Sequence, residues 1–170
     1  MNNEKLAWLG GIWDGEGTIT VFLTHRDGGE ARYHPALVLT NTNDVIISEA
    51  VKILDEIGVR MILFRNHKAN PNYKDSYQLT TRKLTSVKRF CETMMPFLVG
   101  KKAQAELTLR FVNSRLNSFI KNESWSQHNK YTEEEISLCE QLKRLNQRGK
   151  HESSETIRLT EKSDDIVRTL

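Results

Sequence analysis

The spacing of apolar residues changes period several times along the chain, and each change marks an element. Leu6, Leu9 and Trp13 recur at helical spacing. From Thr18 to His25 the period falls to two, with Ile19, Val21 and Leu23 alternating against Thr18, Thr20, Phe22 and Thr24. Asp27-Gly28-Gly29 has hairpin-turn chemistry and leads into a second strand over about 31–40. That strand carries Pro35, Leu37 and Leu39 beside Ala36 and Val38, so alternation does not say which side faces inward. Asn43-Asp44 then caps a helix bearing Ile46, Ile47, Ala50, Ile53, Leu54 and Ile57, which Gly58 ends. Two strands follow near 60–67 and 76–81, joined by the polar loop 68–72. A further helix places Val87, Phe90, Cys91, Met94, Phe97 and Leu98 on one face. The order is αββαββα.

Beyond it, a long helix over about 101–120 repeats apolar residues at Ala105, Leu109, Val112, Leu116 and Phe119. Thr132 with Glu135 forms a capping box before a helix bearing Leu138, Leu142 and Leu145, which Gly149 ends. A short helix is expected after Ser153-Ser154. No internal repeat is present.

Residues 6–17, LAWLGGIWDGEG, carry the candidate chemistry. Glycine inside a helix costs roughly 1 kcal/mol against alanine, so Gly10 and Gly11 together point to close approach of another backbone. Asp14-Gly15-Glu16-Gly17 reads as a turn tolerating unusual backbone angles, with Glu16 at the helix end beside free carbonyls. A carboxylate among carbonyls is an all-oxygen pocket of the kind hard divalent cations prefer.

Composition narrows the picture modestly. A length of 170 residues suits one domain with a sizeable core, and 38% hydrophobic residues is somewhat lean for a globular protein. A net charge of +3 does not by itself indicate nucleic acid, but its distribution is uneven. Arg26, Arg32, Arg60, Arg65, His67, Lys68 and Lys74 lie in the strand-rich half, while acids gather at Glu133-Glu134-Glu135 and Asp164-Asp165. Cys91 and Cys139 occupy apolar helical positions and read as buried free thiols, with no Cys/His spacing for zinc. No secretory leader or membrane span is expected, which predicts an intracellular protein of a prokaryotic cytoplasm or an organelle.

The nine residues Leu9-Gly10-Gly11-Ile12-Trp13-Asp14-Gly15-Glu16-Gly17 resemble, position by position, the signature of the LAGLIDADG homing endonucleases, with Glu16 as its second acid. The likeness covers nearly the whole chain. Pro96-Phe97-Leu98, Lys101-Lys102 and Gln104-Ala105 look like the family's segment around a basic active-site residue. Leu145-Asn146 and Ser154-Glu155-Thr156 resemble the tail of the single-motif, homodimeric group. The resemblance implies an α+β fold: an αββαββα core over about 1–122 with an antiparallel sheet saddle that binds DNA, and a C-terminal helical extension over about 123–170, all in one domain.

It also implies an activity, a metal-dependent double-strand break in a long pseudo-palindromic DNA site, encoded in an intron. Mg²⁺ is the expected cofactor, with Ca²⁺ binding without supporting cleavage and Mn²⁺ as a substitute. Glu16 and the Gly15 carbonyl would hold metal, Asp14 would brace the helix end, and Lys101 (or Lys102, one register away) would act on the attacking water. Relatives often place glutamine after the second strand; here Thr42 stands there between Asn41 and Asn43, which leaves the water-positioning residue open. Expected DNA contacts are Thr18, Thr20, Phe22, Thr24, Arg26, Arg32, Tyr33, Arg65, His67 and Gln78 on the strands, with Arg148, Lys150 and His151 on phosphates. Leu6, Leu9, Gly10, Gly11 and Trp13 are the expected homodimer interface. Two alternatives keep the fold: an RNA-splicing maturase that binds its intron RNA, and a non-catalytic DNA-binding protein.

Overall fold

A computed structural model describes residues 2–25, 31–68, 70, 72–121 and 130–147. The expected contacts Arg26, Arg148, Lys150 and His151, the 27–29 turn, Gly149 and any helix after Ser154 lie outside them.

Helix α1 (Asn3–Glu16) starts where the Asn2 side chain accepts the Glu4 amide at 2.9 Å. Strands β1 (Gly17–His25) and β2 (Ala31–Asn41) follow, then α2 (Asp44–Glu56), β3 (Ile62–Asn66), β4 (Ser76–Thr81) and α3 (Leu84–Met94). The expected order therefore holds. Pro96 lies in a 3-10 turn, Met95–Phe97, directly after α3. Proline cannot continue a helix here without losing a hydrogen bond, so Phe97 lies in the turn and Leu98 follows it in extended conformation, neither of them in α3. Helices α4 (Lys102–Lys121) and α5 (Glu133–Leu145) complete the described chain.

The strands form one antiparallel sheet in the order β1-β2-β4-β3. Gly17 pairs with Leu39 and Ile19 with Leu37; Leu39 pairs with Leu79, and Leu79 with Leu63. Ile19, Leu37, Leu39 and Leu79 are all at most 1% exposed, so this row faces the helices and settles the orientation of β2. Trp13 packs on Phe90 beneath it, with ring centroids 4.3 Å apart. The opposite face of the sheet is open.

Two expectations fail in instructive ways. The inner face of α4 is Ala105, Thr108, Phe111, Val112 and Arg115, not the stripe through Leu109 and Leu116, which are only partly buried. Arg115 turns inward because Glu135 waits there: the carboxylate of the capping box is fully buried, accepts from Ser114 Oγ at 2.8 Å and pairs with Arg115 at 3.5 Å. Glu135 is thus an internal ion-pair partner and not part of an acidic surface. Cys91 and Cys139 are buried free thiols, and burial pushes each up to about 12. Among the described residues no helix is long and apolar enough to cross a membrane.

Candidate functional site

Helix α1 does not break at the acid-glycine segment. It stays helical through Glu16, and Gly17 enters β1 directly with φ −84° and ψ 164°. Gly58 is the only described residue with positive φ, so neither Gly15 nor Gly17 is present for an unusual backbone angle. Gly17 is required for another reason: a Cβ there would press into the Trp13 indole. The joint delivers Glu16, exposed, at the carbonyl end of α1. Gly15 beside it is exposed too, and a Cβ on it would meet nothing within 4 Å.

Asp14 ties this helix end to the start of α4. Its carboxylate accepts the backbone N–H groups of Val99 at 2.7 Å, Gly100 at 3.0 Å and Lys101 at 2.9 Å. Bonds from amides to a charged acceptor are roughly twice as strong as neutral ones. The Lys101 ammonium in turn donates to the Asp14 main-chain carbonyl. A cation at the C-terminus of a helix offsets the negative end of its dipole, and here it stands two residues from Glu16. Asp14 is therefore a brace, as expected, and Glu16, Gly15 and Lys101 share one corner.

The third polar position also narrows. Asn41 Oδ1 accepts the Asn43 amide at 2.8 Å, and Asn43 Oδ1 accepts the Val45 amide at 3.0 Å as the cap of α2. Both asparagines are committed to backbone turns, and Thr42 between them is exposed. Because Gly17 pairs with Leu39, β2 runs on past the start of β1 before reaching Thr42.

Strand pairing sorts the expected recognition residues onto two faces. Thr18, Thr20, Phe22 and Thr24 lie on the open face, joined by Arg32 opposite Thr24 and by Gln78 opposite Thr40 and Phe64. Tyr33 lies on the other side, where its amide donates to the Tyr131 hydroxyl at 3.0 Å and the two rings meet edge-on at 4.8 Å. Arg65 pairs with Tyr77 in the same row parity as Leu63 with Leu79, so it too points away from the open face. Its guanidinium is bound to Asp75 at 3.1 Å, and His67 reaches the same carboxylate at 2.9 Å. The Lys68 amide first, then His67 and Arg65, hold Asp75 below the usual carboxylate range. Tyr33, Arg65 and His67 therefore do not share the surface that Phe22 and Gln78 form.

The sequence reading missed four residues of that surface. His34 lies opposite Phe22 and contacts Thr24 Oγ1 at 3.0 Å. Burial first, then Arg82 and Arg32, hold its imidazole below the usual histidine range. Arg82 lies just past β4, with its guanidinium 5.5 Å from the Phe22 ring centre. Ile62 and Phe64 alternate with Leu63 and Arg65, and only the pairing of β3 with β4 shows that they face outward.

The dimer expectation needs correction. Leu6, Leu9 and Trp13 are at most 4% exposed within the chain's own core, and a Cβ on Gly10 would collide with the Phe97 carbonyl of the same chain. Of the five residues only Gly11 is open: it is exposed, with nothing within 4 Å of a Cβ. The free face of α1 is instead Ala7, Trp8, Gly11 and Gly15.

A family model described as a LAGLIDADG-like domain matches residues 3–95. No curated protein matches the sequence. Among solved structures, the fold is similar to the homing endonuclease I-CvuI on the I-CreI target in 2 mM Mg, with 20% identity, coverage of 88% of this chain and 86% of that one, and a TM-score of 0.62. I-CvuI on its own target in 2 mM Ca gives 22% identity, 88% coverage of each chain and a TM-score of 0.63. The archaeal intron-encoded homing endonuclease I-Vdi141I complexed with DNA gives 15% identity, 86% and 87% coverage and a TM-score of 0.64.

Proposed function

The chain belongs to the LAGLIDADG-like domain family, and on that premise we propose that it is a site-specific DNA endonuclease, working as a homodimer on a long pseudo-palindromic target. The observation that carries this reading is the end of α1, where Lys101 donates to the Asp14 carbonyl next to Gly15 and Glu16 in the chain, with an open sheet face bearing Arg32, Gln78 and Arg82. DNA would lie on the open face, with cationic side chains meeting phosphates. Lys101 would orient the attacking water and steady the charge that develops on the phosphate. Thr42 would hold a water by its hydroxyl.

A divalent cation fits this corner by donor chemistry, since a carboxylate and a main-chain carbonyl are oxygen ligands exposed to solvent. Among the described residues, however, no group of three or more His, Cys, Asp or Glu could hold a metal, so one chain offers an incomplete set. A second chain's Glu16 and the target phosphates would complete it. Mg²⁺ is the proposed ion, with Mn²⁺ as a substitute and Ca²⁺ occupying the site without supporting cleavage. When bound, the cation would supply charge stabilisation to the attacked phosphate and its leaving oxygen. I-CvuI, solved on DNA with Mg and with Ca, supports the use of a divalent cation.

A homodimer would supply the second Glu16. Gly11 and Gly15 lie four residues apart on the free face of α1, and nothing within the chain requires either to lack a side chain. A second α1 packed there in an isologous contact would bring two Glu16 carboxylates together. An intron-borne gene whose product cuts the uninterrupted locus is the proposed context.

Glu16→Gln tests the reading. It removes the charge and keeps the shape, so cleavage of a selected target should fall roughly a thousandfold, several kcal/mol of barrier at about 1.4 kcal/mol per tenfold. Duplex binding in Ca²⁺ should remain. Undiminished cutting by this variant would refute the assignment.

A further inference from the structure

We infer that the inner part of each half-site is read through the C5 methyls of thymine, so that this chain selects A·T-rich DNA there; the inference rests on the DNA-cleaving function proposed above. The register places Thr18 beside Val38, Val38 beside Thr80, and Thr80 beside Ile62. A row of methyl-bearing side chains thus crosses all four strands on the open face. Neighbours in such a row stand about 4.8 Å apart. The row floors a groove of about 690 Å³ walled by Phe22 and Phe64.

These side chains are poor company for water. Ile62 is 62% exposed, Phe64 48% and Phe22 39%, all on one face. An exposed apolar cluster of this kind marks a contact surface. Its margin is cationic: Arg82 stands over Phe22, Arg32 lies further along the same face, and no carboxylate lines the groove. That charge suits a polyanion and disfavours a basic protein partner.

Duplex DNA presents one apolar group to a protein in its major groove, the thymine C5 methyl. Gln78, opposite Phe64 in the ladder, carries an amide able to bind adenine N6 and N7 together. A methyl-lined floor with one such amide suits both bases of an A·T pair, while cytosine would bring its amino group against Ile62 or Val38 unbonded. Thr18 begins the row two residues from Glu16, which puts the preference in the part of the half-site nearer the cut.

The experiment selects bound duplexes from a pool of random sequence with wild-type protein in Ca²⁺, then replaces thymines of the winning site by uracil one at a time. A·T pairs should dominate inner positions of each half-site. Each uracil there should weaken binding about fourfold, the worth of one buried methyl. Ile62→Ala and Phe64→Ala, both at exposed positions, should erase the uracil effect at the bases they cover while leaving the others intact. Sharp selection of G·C pairs there, or equal binding of thymine and uracil duplexes, would overturn the methyl reading and leave the endonuclease standing. A patch whose alanine variants alter self-association without DNA would overturn it as a protein contact. A pool that shows no enrichment would overturn both.

Discussion

Gly10 and Gly11 are neighbours in the chain with opposite environments. Gly10 is buried because the Phe97 carbonyl of the 3-10 turn lies where its Cβ would be. Gly11 is exposed, and a side chain there would enter open space. The two faces of α1 repeat this contrast. One face, with Leu6, Leu9 and Trp13, belongs to the core; the other, with Ala7, Gly11 and Gly15, is exposed. A helix glycine with no internal reason calls for close approach from outside the chain. The lesson is that the same residue type signals intrachain packing on one face of a helix and assembly on the other.

The sharpest way to break the comparison is a pair of leucine substitutions. Gly10→Leu forces a side chain into backbone, and should destabilise the fold by about 3 kcal/mol or more, read as a lower urea midpoint. Gly11→Leu should leave the folded chain intact by circular dichroism, since leucine is the better helix former. It should nonetheless sediment as a single chain and lose cleavage. If both variants unfolded alike, or both stayed dimeric, the two faces would not differ as described.

A smaller effect is expected at Asp14, the residue that couples the end of α1 to Lys101. Asp14→Asn keeps the shape but turns a threefold acceptor partly into a donor. A charged hydrogen-bond set of this kind contributes about 2 kcal/mol, so hydrogen exchange at the amides of 99–101 should quicken roughly thirtyfold. Cutting should slow with them, and the slowing should exceed any loss of DNA affinity. Unchanged exchange would show that Asp14 does not hold the turn.

The smallest effect is expected at Arg65. Arg65→Ala loosens the β3–β4 clamp on Asp75 and should leave base preference untouched, because the guanidinium points away from the open face. Asp75 titrates below its ordinary 3.8 in the folded chain. Its contribution is therefore complete above that value and is lost as pH falls through the lower folded pKa. Arg65→Ala should flatten this acid dependence. A relaxed preference at one base position would instead show that Arg65 leaves the clamp to read DNA.

Much of the architecture was legible because period, caps and turn residues act locally. The caps at Asn43 and Thr132, the end of α2 at Gly58 and the order αββαββα all follow from chain neighbours. Most of what failed was a matter of side. Tyr33 and Arg65 lie on strands beside polar recognition residues, which makes them candidates, yet pairing puts them behind the sheet. Arg82 lay outside any strand and gave no signal, although it ends up over Phe22. The DGEG segment looked like a turn because its composition favours one, but Trp13 supplied a different reason for Gly17.

By itself the sequence determined the family, the elements and the acid at the helix end, since a nine-residue signature and hydrophobic period are properties of the chain alone. Only the tertiary structure decided which glycine serves the core, that Asp14 joins the helix end to Lys101, and which side chains share the open face. Each of these depends on two segments far apart in the chain coming into register. A one-residue slip in that register exchanges the faces of a strand, and no local pattern records it.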